Sequence, residues 1–159
     1  MPKPEFVYVT YIETTPEKLW DALTSSEFSE RYWWGTKVLS NWTVGSPFAL
    51  EWRGQVTDTG VIVEADPPRL LSYTWSNASE EFRNERPSRV TFVLEPYGKL
   101  VKLTLTHEDF EPGSKMLEGI SKGWPAIMSS LKSMLETGAP LVIPLDALFI
   151  AELDEIYRS

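Results

Sequence analysis

The chain has 159 residues, with 15 Lys and Arg against 23 Asp and Glu and therefore a net charge of −8. This length is typical of one domain. The negative charge argues against a nucleic-acid-binding surface, which needs clustered basic side chains. The chain has no Cys and one His. Disulfides, thiol nucleophiles and metal sites that need Cys or two His are therefore excluded.

The sequence contains no continuous apolar run that is long enough for a transmembrane helix. Residues 1–5 lead directly into a strand pattern and lack the apolar segment of a secretory signal. We therefore expect a cytoplasmic protein that has neither a membrane nor a nucleic-acid partner, and we expect no metal or other cofactor.

The first predicted elements are a strand and two short helices. Residues 6–13 are rich in β-branched and aromatic side chains, which favour a strand. Thr15 can cap a helix that starts at Pro16. That helix has a one-sided apolar stripe of Leu19, Trp20 and Leu23. A second short helix is expected over residues 28–32.

Five further strands are predicted after the paired tryptophans Trp33 and Trp34. They alternate apolar and polar side chains or are rich in β-branched residues, and they are separated by Gly- and Pro-containing turns. These strands cover residues 48–53, 56–65, 70–76, 88–95 and 100–107. Together with the first strand they predict six strands, all antiparallel.

A long C-terminal helix follows. Its apolar side chains recur at three- and four-residue spacing and form one face: Met116, Leu117, Ile120, Trp124, Ile127, Leu131, Met134 and Leu135. Gly138 is expected to end the helix. Pro125 either kinks this helix or begins its main part, with residues 115–122 as a separate turn.

Five motifs in the same order resemble those of the START-like helix-grip (SRPBCC) superfamily. They are LWDALT at 19–24, the paired tryptophans at 33–34, GVIVEADPPRLLSYTW at 60–75, LTH at 105–107 and GW at 123–124. Within that superfamily they resemble the branch named after activators of heat-shock-chaperone ATPase, the AHSA-like proteins. The resemblance implies an α+β helix-grip fold, in which a curved six-stranded antiparallel sheet wraps around the long C-terminal helix. This domain would span residues 1–137.

The candidate site is the space between the sheet and that helix, where aromatic side chains converge. Either they fill the interior as packed core, or they line a partly open apolar cavity for a small ligand. The candidate ligand-binding residues are Trp33, Trp34, Trp52, Tyr73, Trp75, His107 and Trp124.

His107 has two interpretations. It shares strand parity with residues that should face the helix, so it could bind a ligand or act as an acid or base near neutral pH. Alternatively, it is a structural His whose ring hydrogen-bonds a backbone carbonyl. The sequence supplies no catalytic partner for it, and no group of side chains has the spacing of a metal site.

Residues 138–159 form an extension outside the resemblance, not a separate domain. After Pro144, a short amphipathic helix is predicted with Leu145, Leu148, Phe149, Leu153 and Ile156 on one face. Some surface must cover that face. We expect the extension to dock on this domain, to cover the mouth of the cavity or to form a homodimer interface through residues 141–157.

Three functions remain open. The first is non-catalytic binding of a small hydrophobic or aromatic molecule in the interior. The second is a chaperone-interacting or stress-related regulatory role, which the AHSA-like resemblance implies. The third is a cyclase- or dehydratase-like enzyme that uses His107, as in other branches of the superfamily. The fold by itself does not choose among them.

Overall fold

The computed structural model describes residues 4–79 and 84–143. These two ranges contain three helices and seven strands. In chain order the elements are β1 (Phe6–Ile12), α1 (Pro16–Thr24), α2 (Ser26–Tyr32), β2 (Thr36–Ser40), β3 (Pro47–Trp52), β4 (Gln55–Asp66), β5 (Leu70–Asn77), β6 (Ser88–Tyr97), β7 (Leu100–Glu108) and α3 (Lys115–Thr137).

The seven strands form one curved antiparallel sheet in the order β1-β7-β6-β5-β4-β3-β2. Helix α3 packs on the concave face of the sheet. Its Trp124 is 1% exposed, and the Trp124 ring meets the rings of Phe92 on β6 and Trp75 on β5 at 6.0 and 5.3 Å. This arrangement confirms the predicted α+β helix-grip fold.

The number of strands corrects the prediction, which was six. The additional strand, β2, pairs along one side only, with Thr36 opposite Trp52 and Ser40 opposite Phe48 on β3. Its sequence, TKVLS, is only five residues long. A strand of five residues is too short for the alternation of apolar and polar side chains to be recognised in the sequence. Strand β2 forms because it pairs with β3.

The predicted start of α1 at Pro16 is correct, α2 begins two residues before the predicted Phe28, and α3 is a single helix. The Thr15 hydroxyl caps α1 by accepting a hydrogen bond from the Lys18 amide, and the Ser114 hydroxyl caps α3 in the same way at Leu117. Pro125 lies within α3 and cannot donate to the carbonyl of Ser121. Ser121 is exposed, so water can hydrate that carbonyl.

One end of the edge strand β1 is held by side chains of α3. The Lys132 ammonium donates to the Tyr11 carbonyl at 2.7 Å, and the Glu136 carboxylate accepts from the Glu13 amide at 2.8 Å. Lys132 and Glu136 also form an ion pair with each other. These bonds fix the C-terminal half of α3 against the edge of the sheet.

None of the helices in the described ranges is long and apolar enough to cross a membrane. The predicted amphipathic helix after Pro144 lies outside the described residues. The chain up to Ile143 doubles back along α3, because Ser133 Oγ donates to the Ala139 carbonyl and the Leu141 amide donates to Ser130 Oγ.

Candidate functional site

The structure brings five of the seven predicted site residues into one continuous cluster of rings. Trp124 lies at its centre, with ring centroids 5.5 Å from Trp33, 5.3 Å from Trp75 and 6.2 Å from His107. Tyr73 meets Trp75 at 6.5 Å. All five side chains are buried. Ring contacts at these distances are typical of packed aromatic core.

Trp34 and Trp52 lie at the border of this cluster and bind each other. The Trp52 indole donates to the Trp34 carbonyl at 3.2 Å. Trp34 is only partly buried, and its indole donates to the carbonyl of Leu141 at 2.9 Å. Trp34 adopts a left-handed backbone with φ of 45°, which is uncommon for a bulky residue. Trp34 therefore links the α2–β2 junction both to β3 and to the segment after α3.

His107 is completely buried at 0% exposure, and both of its ring nitrogens are used. The Trp124 indole, which can only donate, lies 3.0 Å from His107 Nδ1. Nδ1 must therefore accept, and the proton of the neutral ring lies on Nε2, which donates to Ser88 Oγ at 2.7 Å. The Ser88 hydroxyl in turn donates to the Trp75 carbonyl.

Burial lowers the pKa of His107 from its ordinary 6.5 to about 3. A second proton on the ring would place an N–H on Nδ1 directly against the Trp124 N–H. The arrangement thus holds the imidazole neutral and fixes its tautomer. Such a ring is well suited to positioning Trp124 and Ser88, and poorly suited to exchanging protons at neutral pH.

A second buried polar group, Asp58 on β4, was not anticipated from the sequence. It is 4% exposed, and three donors surround its carboxylate. The Trp75 indole and the Asn77 amide donate to Oδ1, and the Thr57 hydroxyl donates to Oδ2 at 2.8 Å. Burial raises the pKa of Asp58 to about 6, although these hydrogen bonds act in the opposite direction.

The local structure explains why Asp58 points inward. It shares strand parity with Gly60 and with the buried Ile62, and it lies opposite Asn77 in the β4–β5 pairing. Gly60 is required in this position, because a Cβ there would come within 1.8 Å of the Thr74 carbonyl oxygen. This parity was the available sequence signal for an inward-facing carboxylate.

Trp75 joins two polar networks, one around His107 (with Ser88 and Trp124) and one around Asp58 (with Thr57 and Asn77). Its indole N–H binds Asp58, its ring stacks on His107 at 5.3 Å, and its carbonyl accepts from Ser88. The Tyr73 hydroxyl is buried beside this region, and burial raises its pKa well above the ordinary 10. One side chain in the middle of the sheet therefore contacts both networks.

A small cavity of about 10 Å³ lies next to this junction. Its walls include Trp75, Phe110 and Met116, and its polar lining includes Asn77, Ser88 and Glu85. That volume is about the space that one water molecule needs. The cavity touches both polar networks, because Asn77 binds Asp58 and Ser88 binds His107.

The loop before β6 closes the outer side of the cavity. The Arg86 guanidinium donates to the carbonyls of Asp109 and Phe110, and the Arg86 amide donates to the Glu111 carboxylate. The Glu85 carboxylate accepts from the hydroxyl of Ser114, the residue that caps α3. These bonds join residues 84–87 to the segment that leads into α3.

The described residues contain no group of three or more His, Cys, Asp or Glu side chains that could hold a metal ion.

The comparisons with known proteins agree with this architecture. Residues 13–136 match the family model described as "Activator of Hsp90 ATPase homolog 1-like protein". The chain belongs to this AHSA1-like family. No curated protein matches the chain.

Three solved structures illustrate the likeness. Protein MLL2253 from Mesorhizobium loti is 28% identical with a TM-score of 0.73, over 83% of this chain and 96% of that protein. The Aha1 dimer from Colwellia psychrerythraea is 19% identical with a TM-score of 0.70, over 85% and 98%. CalU16 from Micromonospora echinospora is 19% identical with a TM-score of 0.71, over 97% and 86%. The last two support the fold alone.

Proposed function

We propose that this AHSA1-like protein binds a small hydrophobic or aromatic molecule, without catalysis, in the interior between the sheet and α3. The observation that carries the proposal is the cavity beside Trp75, which lies between aromatic walls and touches both buried polar networks. Ligand sites commonly combine mainly apolar walls with a few placed polar groups.

Asp58 supports the proposal through its energetic cost. A buried carboxylate destabilises a fold unless its partners compensate fully, and well-packed apolar residues often stabilise the same position better. A strongly shifted ionisable group inside a domain is therefore a candidate for function. Here the shifted group binds Trp75 and Asn77, which both line the cavity.

Binding requires the cavity to widen, since it now holds about one water. The movable walls are residues 84–87 and 109–114, which the Arg86 hydrogen bonds hold together. Both segments lie between regular elements and not within the sheet. A ligand that enters here would contact Phe110, Met116 and Trp75.

Tryptophan fluorescence titrated with a panel of hydrophobic and aromatic molecules tests the proposal. We expect a saturable change that Trp75→Phe strongly reduces and that Trp42→Phe leaves in place, because Trp42 packs on Phe48 away from the cavity. A panel that produces no saturable change in the wild-type protein would refute ligand binding.

The enzyme that uses His107 is less well supported by the geometry. Both ring nitrogens already have partners within the protein, and burial depresses the pKa of the ring to about 3. A general base at neutral pH needs a free nitrogen that faces the substrate. We therefore assign His107 a positioning role within the proposed ligand site.

A chaperone-regulating role is the second candidate, and the family match favours it. The description of that family refers to activation of Hsp90 ATPase, and a cytoplasmic location and a role in stress are parts of this candidate. Chaperone ATPase activity measured with and without the purified protein tests it. Unchanged ATPase activity at saturating protein would remove this candidate and leave ligand binding untouched.

Homodimerisation through residues 141–157 is a further part of the proposal. The relative from Colwellia psychrerythraea is described as a dimer, and here Leu141 and Val142 are 39% and 96% exposed. Residues 144–157 lie outside the described ranges. Sedimentation of the full chain and of a chain that ends at Ile143 tests this part, and the finding that both chains sediment as monomers would contradict it.

A further inference from the structure

Among the residues that line the cavity beside Trp75, one side chain carries a polar atom for which the described part of the chain supplies no partner. Glu85 lines the cavity, and its Oε1 accepts from the Ser114 hydroxyl. Its other oxygen, Oε2, is buried and has no hydrogen-bond partner within residues 4–79 and 84–143. A buried acceptor without a partner costs free energy, and the cost is greater for a charged group.

The side chains of Asn77 and Ser88, which also line the cavity, already have partners. The Asn77 amide donates to Asp58 and its oxygen accepts from the Ser79 amide, while Ser88 lies between His107 and the Trp75 carbonyl. Glu85 Oε2 therefore differs from its neighbours, because it can accept a hydrogen bond from a molecule in the cavity without breaking a bond of the protein.

The walls around this acceptor are apolar or aromatic. Phe110, Met116 and Trp75 are 3%, 5% and 6% exposed. Phe110 also contacts the His107 ring at 4.6 Å, so it belongs to the aromatic cluster. The cavity thus presents one acceptor to a molecule whose remaining surface is apolar.

We propose that Glu85 selects ligands whose aromatic or apolar body carries a hydrogen-bond-donating group, such as a phenolic hydroxyl or an amine. The donor binds Glu85 Oε2, and the body packs between Trp75, Phe110 and Met116. This inference rests on the proposed ligand-binding function and adds the chemical class of the ligand to it.

Phenol and anisole form a matched pair of probes, since methylation removes the donor and keeps the ring. Anisole is the more apolar of the two, so burial alone favours anisole. Binding is measured from the tryptophan indole N–H signals in ¹H–¹⁵N spectra. We expect phenol to bind the wild-type protein about tenfold more tightly than anisole, the lower range for a hydrogen bond to a charged acceptor.

Glu85→Met removes both carboxylate oxygens at similar length, and we expect it to abolish the preference for phenol. Glu95→Met is the matched control, because Glu95 is exposed near the far end of β6 and is not among the cavity residues. If Glu85→Met does not fold, Glu85→Gln provides the test, since its neutral amide oxygen is a weaker acceptor and reduces the preference.

The outcomes separate the two proposals. Equal affinity for phenol and anisole, or a preference that persists without the Glu85 carboxylate, overturns the role of Glu85. The same holds if the hydrophobic panel binds but phenol does not, and ligand binding then stands. If neither the panel nor either probe binds, both proposals fail together. An ordered water as the only partner of Oε2 in a phenol complex also overturns this inference.

Discussion

His107 and Asp58 lie in the same interior on either side of Trp75, and burial shifts their pKa values in opposite directions. His107 is lowered to about 3 and Asp58 is raised to about 6. In both cases burial disfavours the charged form. The difference is that a neutral His107 is fully satisfied by Trp124 and Ser88, whereas Asp58 is surrounded by donors and still carries the cost of a buried charge near neutral pH.

The largest expected effect is acid destabilisation through His107. The unfolded ring takes up a proton near pH 6.5 and the folded ring only near pH 3, so its stabilisation is complete above pH 6.5 and is lost as the pH falls. In an Asp58→Asn background, this loss reaches about 4 kcal/mol at pH 3. Urea denaturation at a series of pH values measures it. In the Asp58→Asn background, an unfolding free energy that does not decrease between pH 6.5 and 4 would contradict this effect.

In the wild-type protein, Asp58 opposes that trend. The folded carboxyl binds a proton near pH 6 and the unfolded one near pH 4, so its destabilising effect is absent at low pH and complete above pH 6. Asp58→Asn should therefore raise the unfolding free energy at pH 7.5 by up to about 3 kcal/mol, and the gain should vanish towards pH 4. The same denaturation series checks this gain, and Asp66→Asn is the exposed control.

The third expected effect isolates one bond of the His107 network. Ser88→Ala leaves the Nε2 proton of His107 without its acceptor and frees the Trp75 carbonyl. We expect a loss of about 1–3 kcal/mol, the cost of an unsatisfied buried donor. Ser76→Ala, on a partly exposed residue of the adjacent strand, is the control. Equal stability of the two variants at pH 7.5 would mean that the His107 network contributes little.

The smallest expected effect comes from the surface ion pair of Lys132 and Glu136, which is solvent-exposed where the groups around His107 and Asp58 are buried. The bound Lys132 ammonium lowers the pKa of Glu136, and Lys132 is 39% exposed. Solvent and salt screen such pairs, so Lys132→Met should change the unfolding free energy by about 1 kcal/mol or less. Thermal denaturation at low and high salt measures it, and a larger change would show that its bond to Tyr11 matters more than the ion pair.

Much of the aromatic half of the site was predictable. Strand parity places Tyr73 and Trp75 on one face, and helical spacing places Trp124 opposite them, so their convergence follows once the helix-grip order is recognised. The partners of His107 were not predictable, because they come from α3 and β6, far away along the chain. The sequence leaves the continuity of α3 through Pro125 open, because spacing alone does not reveal that Ser121, whose carbonyl loses its helical partner, is exposed.

Asp58 and Glu85 illustrate what the sequence could not show. Asp58 has the strand parity of Ile62, but a carboxylate in a strand of mixed polarity usually faces solvent. The sequence does not show that Asn77 lies opposite Asp58 or that the Trp75 indole donates to its carboxylate. Glu85 lies in a polar segment that resembles an ordinary loop. Its burial depends on how Arg86 and Ser114 close that loop against α3.

The bonds from Lys132 and Glu136 to the β1 edge have a consequence for association between molecules. An edge strand offers its free amides and carbonyls to any passing extended chain, which is how sheets join into aggregates. Here the Tyr11 carbonyl and the Glu13 amide are already occupied by side chains of α3. A foreign strand would first have to displace two charged groups, so the helix that fills the interior also shields one end of the sheet from polymerisation.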